Sequence, residues 1–193
     1  MGNLVIQMRI IAGSLKGRRL ASPSWAGLRP TSDKLRETIF NILAPRIAGA
    51  RVLDGYAGTG ALGIEALSRG ARTVTFIERD RRAQTLIEEN LARCGIVEGY
   101  AIIRASVVRA LEMLRDAPPG DRFDVVLLDP PYDPGGDEID AVLAATGDVM
   151  AAGGVLVLEH ARKRRAPGAA GRLVRTREVI GGDSALAFSA CQP

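Results

Sequence analysis

Val52-Leu53-Asp54-Gly55-Tyr56-Ala57-Gly58-Thr59-Gly60 begins as a strand and ends as a glycine loop. Two apolar residues lead to a carboxylate, and glycines follow where the backbone must turn tightly and approach a ligand with no Cβ in the way. Open parallel sheets bind ligands at the carboxyl ends of their strands, at the point where strand order reverses. The stretch therefore predicts the first parallel strand of an α/β fold, with a ligand site at its end. Downstream, apolar runs at 74–77, 101–103, 125–128 and 155–158 alternate with helical periodicity at 62–68, 83–93, 107–114 and 139–145. Strand and helix repeated in this order imply a mainly parallel sheet covered on both faces. Runs at 173–179 and 185–188 have no helix between them and read as a terminal antiparallel hairpin, and 166–171 reads as loop.

Upstream of the glycine loop, β-like runs at 9–12 and 18–21 surround Gly13, Lys16 and Gly17 and predict a hairpin. This sets a small N-terminal β extension, residues 1–30, ahead of a main domain at 31–193. Thr31 or Ser32 is placed to cap a helix whose apolar residues Leu35, Ile39, Ile42 and Leu43 share a face before Pro45 ends it. At 193 residues, 47% hydrophobic and 25% charged, the composition suits one globular domain with a small appendage and argues against disorder. No run has the length of a membrane span, and the first residues lack the pattern of a signal peptide. Cys94 and Cys191 are the only cysteines, without CxxC or Cys/His spacing. Neither a disulfide framework nor a metal site is expected, and the chain reads as a cytoplasmic monomer.

The formal charge is +4, but it is unevenly placed. The first 36 residues carry Arg9, Lys16, Arg18, Arg19, Arg29, Lys34 and Arg36 against Asp33 alone. A second cluster, Arg162, Lys163, Arg164 and Arg165, follows the last strong apolar run. Clustered cations of this kind are candidates for phosphate contacts.

Gly58-x-Gly60-x-x-Gly63 matches a dinucleotide fingerprint, with Glu78 at the end of the second strand to meet ribose hydroxyls. The pattern alone fits either a nicotinamide dinucleotide or S-adenosylmethionine. Asp54 favours the second, since an acid beside the loop suits a cationic sulfonium and amino group and repels a pyrophosphate.

At the end of the fourth strand stands Asp129-Pro130-Pro131-Tyr132. An exocyclic base amine is a poor nucleophile because its lone pair is delocalised into the ring, so a site that methylates it must localise that pair. The Asp129 carboxylate and the Pro130 carbonyl each accept an N–H, and the proline pair holds both acceptors in one turn. Tyr132 offers a ring on which an extruded base stacks. These three are the candidate catalytic residues, and no strong general base is required.

Taken together, the residues resemble the bacterial 16S ribosomal RNA guanine-N2 methyltransferases. The resemblance runs through Met8-Arg9-Ile10-Ile11-Ala12-Gly13 and through Leu28-Arg29-Pro30-Thr31-x-Asp33-x-x-Arg36-Glu37-Thr38-Ile39-Phe40-Asn41. It is densest from Leu53 to Ala71, and Asp129 to Tyr132 completes it. It implies a class I S-adenosylmethionine-dependent methyltransferase sheet, Rossmann-like, acting on 16S ribosomal RNA or the assembling small subunit and releasing S-adenosylhomocysteine. By the same resemblance Arg29, Pro30, Thr31, Asp33, Arg36 and Glu37 border the cofactor and target base, and the N-terminal hairpin holds RNA. The cofactor set is then Asp54, Tyr56, Gly58, Gly60, Glu78, Ser106, Thr31 and Asp33. The phosphate set is Lys16, Arg18, Arg19, Arg29, Arg36, Arg162, Lys163, Arg164 and Arg165. Ala105-Ser106 departs from the family, which often carries an acid or amide there. Three readings compete: a DNA or RNA adenine-N6 methyltransferase, a dehydrogenase, and a noncatalytic RNA-binding assembly protein.

Overall fold

The computed structural model describes residues 8–25, 31–131 and 136–193. Helix α1 (Asp33–Ile47) precedes an alternation of β1 (Arg51–Gly55), α2 (Ala61–Ser68), β2 (Thr73–Ile77), α3 (Arg81–Arg93), β3 (Tyr100–Ile103), α4 (Val107–Leu114), β4 (Phe123–Leu128), α5 (Gly136–Val149) and β5 (Met150–Ala161). Strands β6 (Ala169–Ala170), β7 (Leu173–Gly181) and β8 (Ser184–Cys191) follow. The eight form one sheet ordered β3-β2-β1-β4-β5-β8-β7-β6. From β3 to β5 the pairings are parallel, whereas β8 runs antiparallel to both β5 and β7. The α/β sheet and its terminal hairpin are as expected. The two-residue β6 is a correction to the loop at 166–171.

Sheet order reverses at β1, which has β2 on one side and β4 on the other. The carboxyl ends of β1 and β4 therefore flank the crevice of a doubly wound sheet. Alternation along the strands sends Val52, Val125, Leu127 and Val157 to one face, packed with α1, α2 and α3. It sends Leu53, Val126, Leu128, Leu156 and Leu158 to the other, packed with α4 and α5. At Gly63 the helix lies so close to the sheet that a Cβ would stand 2.2 Å from the Phe76 ring, so only glycine fits.

Ser32 caps α1, its hydroxyl accepting from the Leu35 amide at 3.3 Å. The predicted stop at Pro45 is not observed, and the helix runs on to Ile47. Ile39, Phe40, Leu43 and Ile47 are all buried. At about 1.5–3 kcal/mol for each such side chain they outweigh the roughly 3 kcal/mol cost of an interior proline.

The N-terminal extension is a tight reversal with a single bridge, Arg9 to Arg19, rather than two full strands. Backbone bonds from Ile10 to Arg18 and from Leu20 to Met8, both 2.9 Å, hold it. Met8, Ile10 and Leu20 are buried in the same core as α1 and α2.

Candidate active site

Four segments meet at the carboxyl edge of the sheet. The first is the loop after β1. Asp54 is buried, and its Oδ2 accepts the Gly63 amide of α2 at 2.8 Å. Burial holds its carboxyl well above the ordinary 3.8; the Gly63 N–H opposes this, and the negative charges of Asp129 and Glu78 add to it. Asp54 thus ties strand to helix while standing within electrostatic reach of both other acids. Next along the loop, Tyr56 has φ +63°, a left-handed conformation that a side chain of this bulk adopts only where its surroundings impose it. Gly58 and Gly60 follow at +55° and +76°. In Gly60 that conformation starts α2 without a side-chain cap, and the Gly63 amide of its first turn is taken by Asp54.

Glu78 is the first residue past β2. Its Oε2 accepts the Gly58 amide at 2.9 Å and its Oε1 the Asp80 amide at 2.8 Å. These bonds lock the glycine loop to the neighbouring strand end. Each carboxylate oxygen can accept more than one hydrogen bond, so ribose hydroxyls remain chemically suited to it. Ser106, after β3, caps α4 by accepting the Arg109 amide at 3.3 Å. It lies at the expected edge with a helix-capping duty.

Asp129 is the first residue past β4, half-buried, with Pro130 and Pro131 next in the chain. The Thr31 hydroxyl donates to Asp129 Oδ2 at 2.7 Å across 98 residues of sequence. The segment before α1 therefore sets the plane of the carboxylate expected to hold the base. Tyr132, Arg29 and Pro30 lie outside the described residues.

Asp33 and Arg36 form one ion pair at the start of α1. Asp33 accepts from Arg36 Nη2 at 2.7 Å and lies 3.8 Å from Arg9. Arg36 also donates to the Arg9 carbonyl at 2.8 Å, and its side chain is fully buried. A guanidinium with no exposed surface cannot meet a phosphate. The nucleic-acid role expected of Arg36 is corrected to an internal tie between α1 and the extension. Lys16, Arg18 and Arg19 are exposed on the extension, and Arg162, Lys163, Arg164 and Arg165 are exposed in the turn after β5.

Three polar residues that hold the extension in place escaped the sequence reading. Glu65 of α2, fully buried, accepts the Ile11 and Ala12 amides at 2.7 and 3.0 Å and Arg69 Nε at 2.7 Å. Ser68 donates to the Ala12 carbonyl at 2.6 Å and accepts the Leu15 amide at 3.0 Å. Asn90 of α3 brackets Ala21, accepting its amide at 2.6 Å and donating to its carbonyl at 3.2 Å, and also donates to the Thr59 carbonyl at 2.9 Å. The available signal was a charge inside the apolar run Ala61-Leu62-Gly63-Ile64-Glu65-Ala66-Leu67, since a buried charge requires partners.

Comparison with known proteins places this geometry in context. A family model described as Conserved hypothetical protein 95 matches residues 8–190. YlbH of Bacillus subtilis (strain 168) is 37% identical over 183 residues, 94% of this chain and 97% of that protein. Ribosomal RNA small subunit methyltransferase D of Escherichia coli (strain K12) is 45% identical over 128 residues, 65% of this chain and 61% of that protein. The solved structure of yhhF from Escherichia coli superposes with a TM-score of 0.82 at 31% identity, covering 96% of this chain and 98% of that one.

Proposed function

Since this chain belongs to the family described as Conserved hypothetical protein 95, we propose that it is an S-adenosylmethionine-dependent methyltransferase acting on the exocyclic N2 of a guanine in 16S ribosomal RNA. One observation carries the reading. Asp129-Pro130-Pro131 leaves β4 beside the glycine loop, and Asp129 is oriented by Thr31 at 2.7 Å. The relative named Ribosomal RNA small subunit methyltransferase D supports the substrate class. The reading takes the chain as a cytoplasmic monomer that acts on the small subunit or its RNA.

The residues fit the cofactor. Gly58 and Gly60 leave two loop positions without a Cβ, Glu78 stands at the ribose position past β2, and the acid of Asp54 lies beneath the loop. When bound, S-adenosylmethionine supplies a methyl group on a positively charged sulfur. The chain's own task is to hold the acceptor. Asp129 and the Pro130 carbonyl accept N–H bonds from the guanine amine and turn its lone pair toward the methyl carbon. The same acceptors stabilise positive charge as it develops on nitrogen, and the proton departs afterwards. Tyr132 supplies a stacking face for the extruded base. Lys16, Arg18, Arg19 and Arg29 meet phosphates from the N-terminal side, and residues 162–165 from the other.

The test is transfer of tritiated methyl from S-adenosylmethionine to naked 16S RNA, assembled small subunits and DNA, followed by nucleoside analysis. N2-methylguanosine is the expected product. N6-methyladenine in DNA would replace the substrate and keep the mechanism. Bound cofactor with no transfer to any of the three would overturn the reading.

A further inference from the structure

A cavity of about 300 Å³ opens beside the Pro130–Pro131 turn, bounded by Ile139 of α5, His160 at the end of β5, and Arg164 and Arg165 in the turn that follows. The sheet register explains why these groups meet. Leu128 pairs with Leu158, so the chain leaving β4 as Pro130–Pro131 runs beside the last residues of β5, which continues to Ala161.

Besides His160, the lining offers three chemistries. Proline rings and Ile139 make apolar walls, the carboxylates of Asp140 and Glu159 accept N–H groups, and Arg164 and Arg165 bring positive charge at the exposed turn. Flat apolar surface, N–H acceptors and cations together match a nucleotide, with its ring, amino edge and phosphate. The volume lies at the lower end of pockets that take small organic ligands and exceeds what a bare phosphate requires.

Among the described residues, neither Asp129 nor Thr31 nor the glycine loop lines this cavity. The guanine to be methylated has to reach Asp129, which does not line the cavity, so the acceptor and the cavity's occupant meet the turn at different residues. Pro131 lies two residue steps beyond Asp129, a path of about 7 Å, which is on the scale of one nucleotide step. We propose that the cavity is a subsite for the nucleotide adjoining the acceptor guanine in the RNA strand, its base packed on Pro130, Pro131 and Ile139 and its phosphate held by Arg164 and Arg165. This inference rests on the reading of the chain as an RNA guanine methyltransferase. It adds a determinant of sequence context to that reading. The proline turn then does two jobs, offering the Pro130 carbonyl to the acceptor amine and its rings to the neighbouring base.

The test uses the full chain, an RNA fragment that it methylates, and the same fragment made abasic at the nucleotide before or after the acceptor. For the wild type, one of the two abasic RNAs is expected to lose roughly tenfold in kcat/KM, the size of one base stack. Ile139→Trp, which fills the cavity, is expected to show the same loss on intact RNA and no further loss on that abasic RNA. Should Ile139→Trp fail to fold, the exposed Arg165→Ala serves instead, with an expected fall of about one in the salt slope of RNA binding. Equal kcat/KM on intact and both abasic RNAs would overturn the subsite. So would losses from Ile139→Trp and the abasic RNA that multiply. Absence of transfer from the wild type to intact RNA would overturn the parent reading, and the subsite with it.

Discussion

Asp129 and Glu65 receive hydrogen bonds from the same part of the chain and serve opposite ends. Thr31 donates to Asp129, and the Ile11 and Ala12 amides donate to Glu65. Glu65 is fully enclosed and is matched by two backbone donors and Arg69, so its charge is consumed internally. Asp129 stands half-buried at a strand end, beside a turn that opens on the crevice. A carboxylate sealed among donors stabilises architecture, whereas one anchored at the edge of a crevice keeps its acceptor capacity for a ligand. The same contrast separates Arg36, buried between α1 and the extension, from Arg18 and Arg19 on the extension itself, which are exposed.

The largest effect that can break this comparison is at Asp129. Asp129→Ala is expected to lower kcat by about 10²–10³-fold, the cost of removing one preorganised charge-stabilising group, while cofactor affinity measured by calorimetry stays nearly unchanged. Retained turnover would remove Asp129 from the site. Glu65→Ala is expected to do the reverse. It strands Arg69 and two amides, and urea unfolding is expected to show a loss of about 3 kcal/mol; unchanged stability with lost turnover would erase the distinction between the two acids.

Thr31 is a positioning residue for Asp129. Thr31→Ala is expected to reduce kcat by about tenfold, the worth of one charged hydrogen bond, with KM for RNA unchanged and activity restored by Thr31→Ser. A stability loss without a kcat effect would make Thr31 merely a brace. The smallest change is expected from Asp54→Asn, which keeps an oxygen for the Gly63 amide and removes the ionisable group. Because folding raises the Asp54 pKa, the folded state holds a proton that the unfolded state releases above 3.8. Stability therefore falls as pH rises from that value to the folded one, and stays reduced above it. Asp54→Asn is expected to flatten this slope and raise the thermal midpoint at neutral pH. An unchanged slope would show that Asp54 does not titrate in that window.

Local pattern carried much of this protein. From β1 to β5 the order of strands and helices, the α4 bounds and the placement of Asp54, Glu78 and Asp129 at strand ends were legible in the sequence, because alternation and helical spacing report which side chains face a core. Pro45 was misread because local propensity says nothing of the buried Ile47 beyond it. Arg36 was misread because an arginine in a polar stretch carries no mark of being enclosed.

The sequence by itself determined that this chain builds an α/β sheet with a glycine loop after its first strand and an Asp-Pro-Pro turn after its fourth. Both follow from residue type and spacing, which act within a few residues. Only the tertiary structure decided that Thr31 meets Asp129, that Glu65 and Asn90 hold the extension, that Arg36 is internal, and that Arg164 and Arg165 share a cavity with the proline turn. Each of these joins residues tens of positions apart. Their pairing is set by how the whole core packs, and by the cost of burying a polar group without a partner.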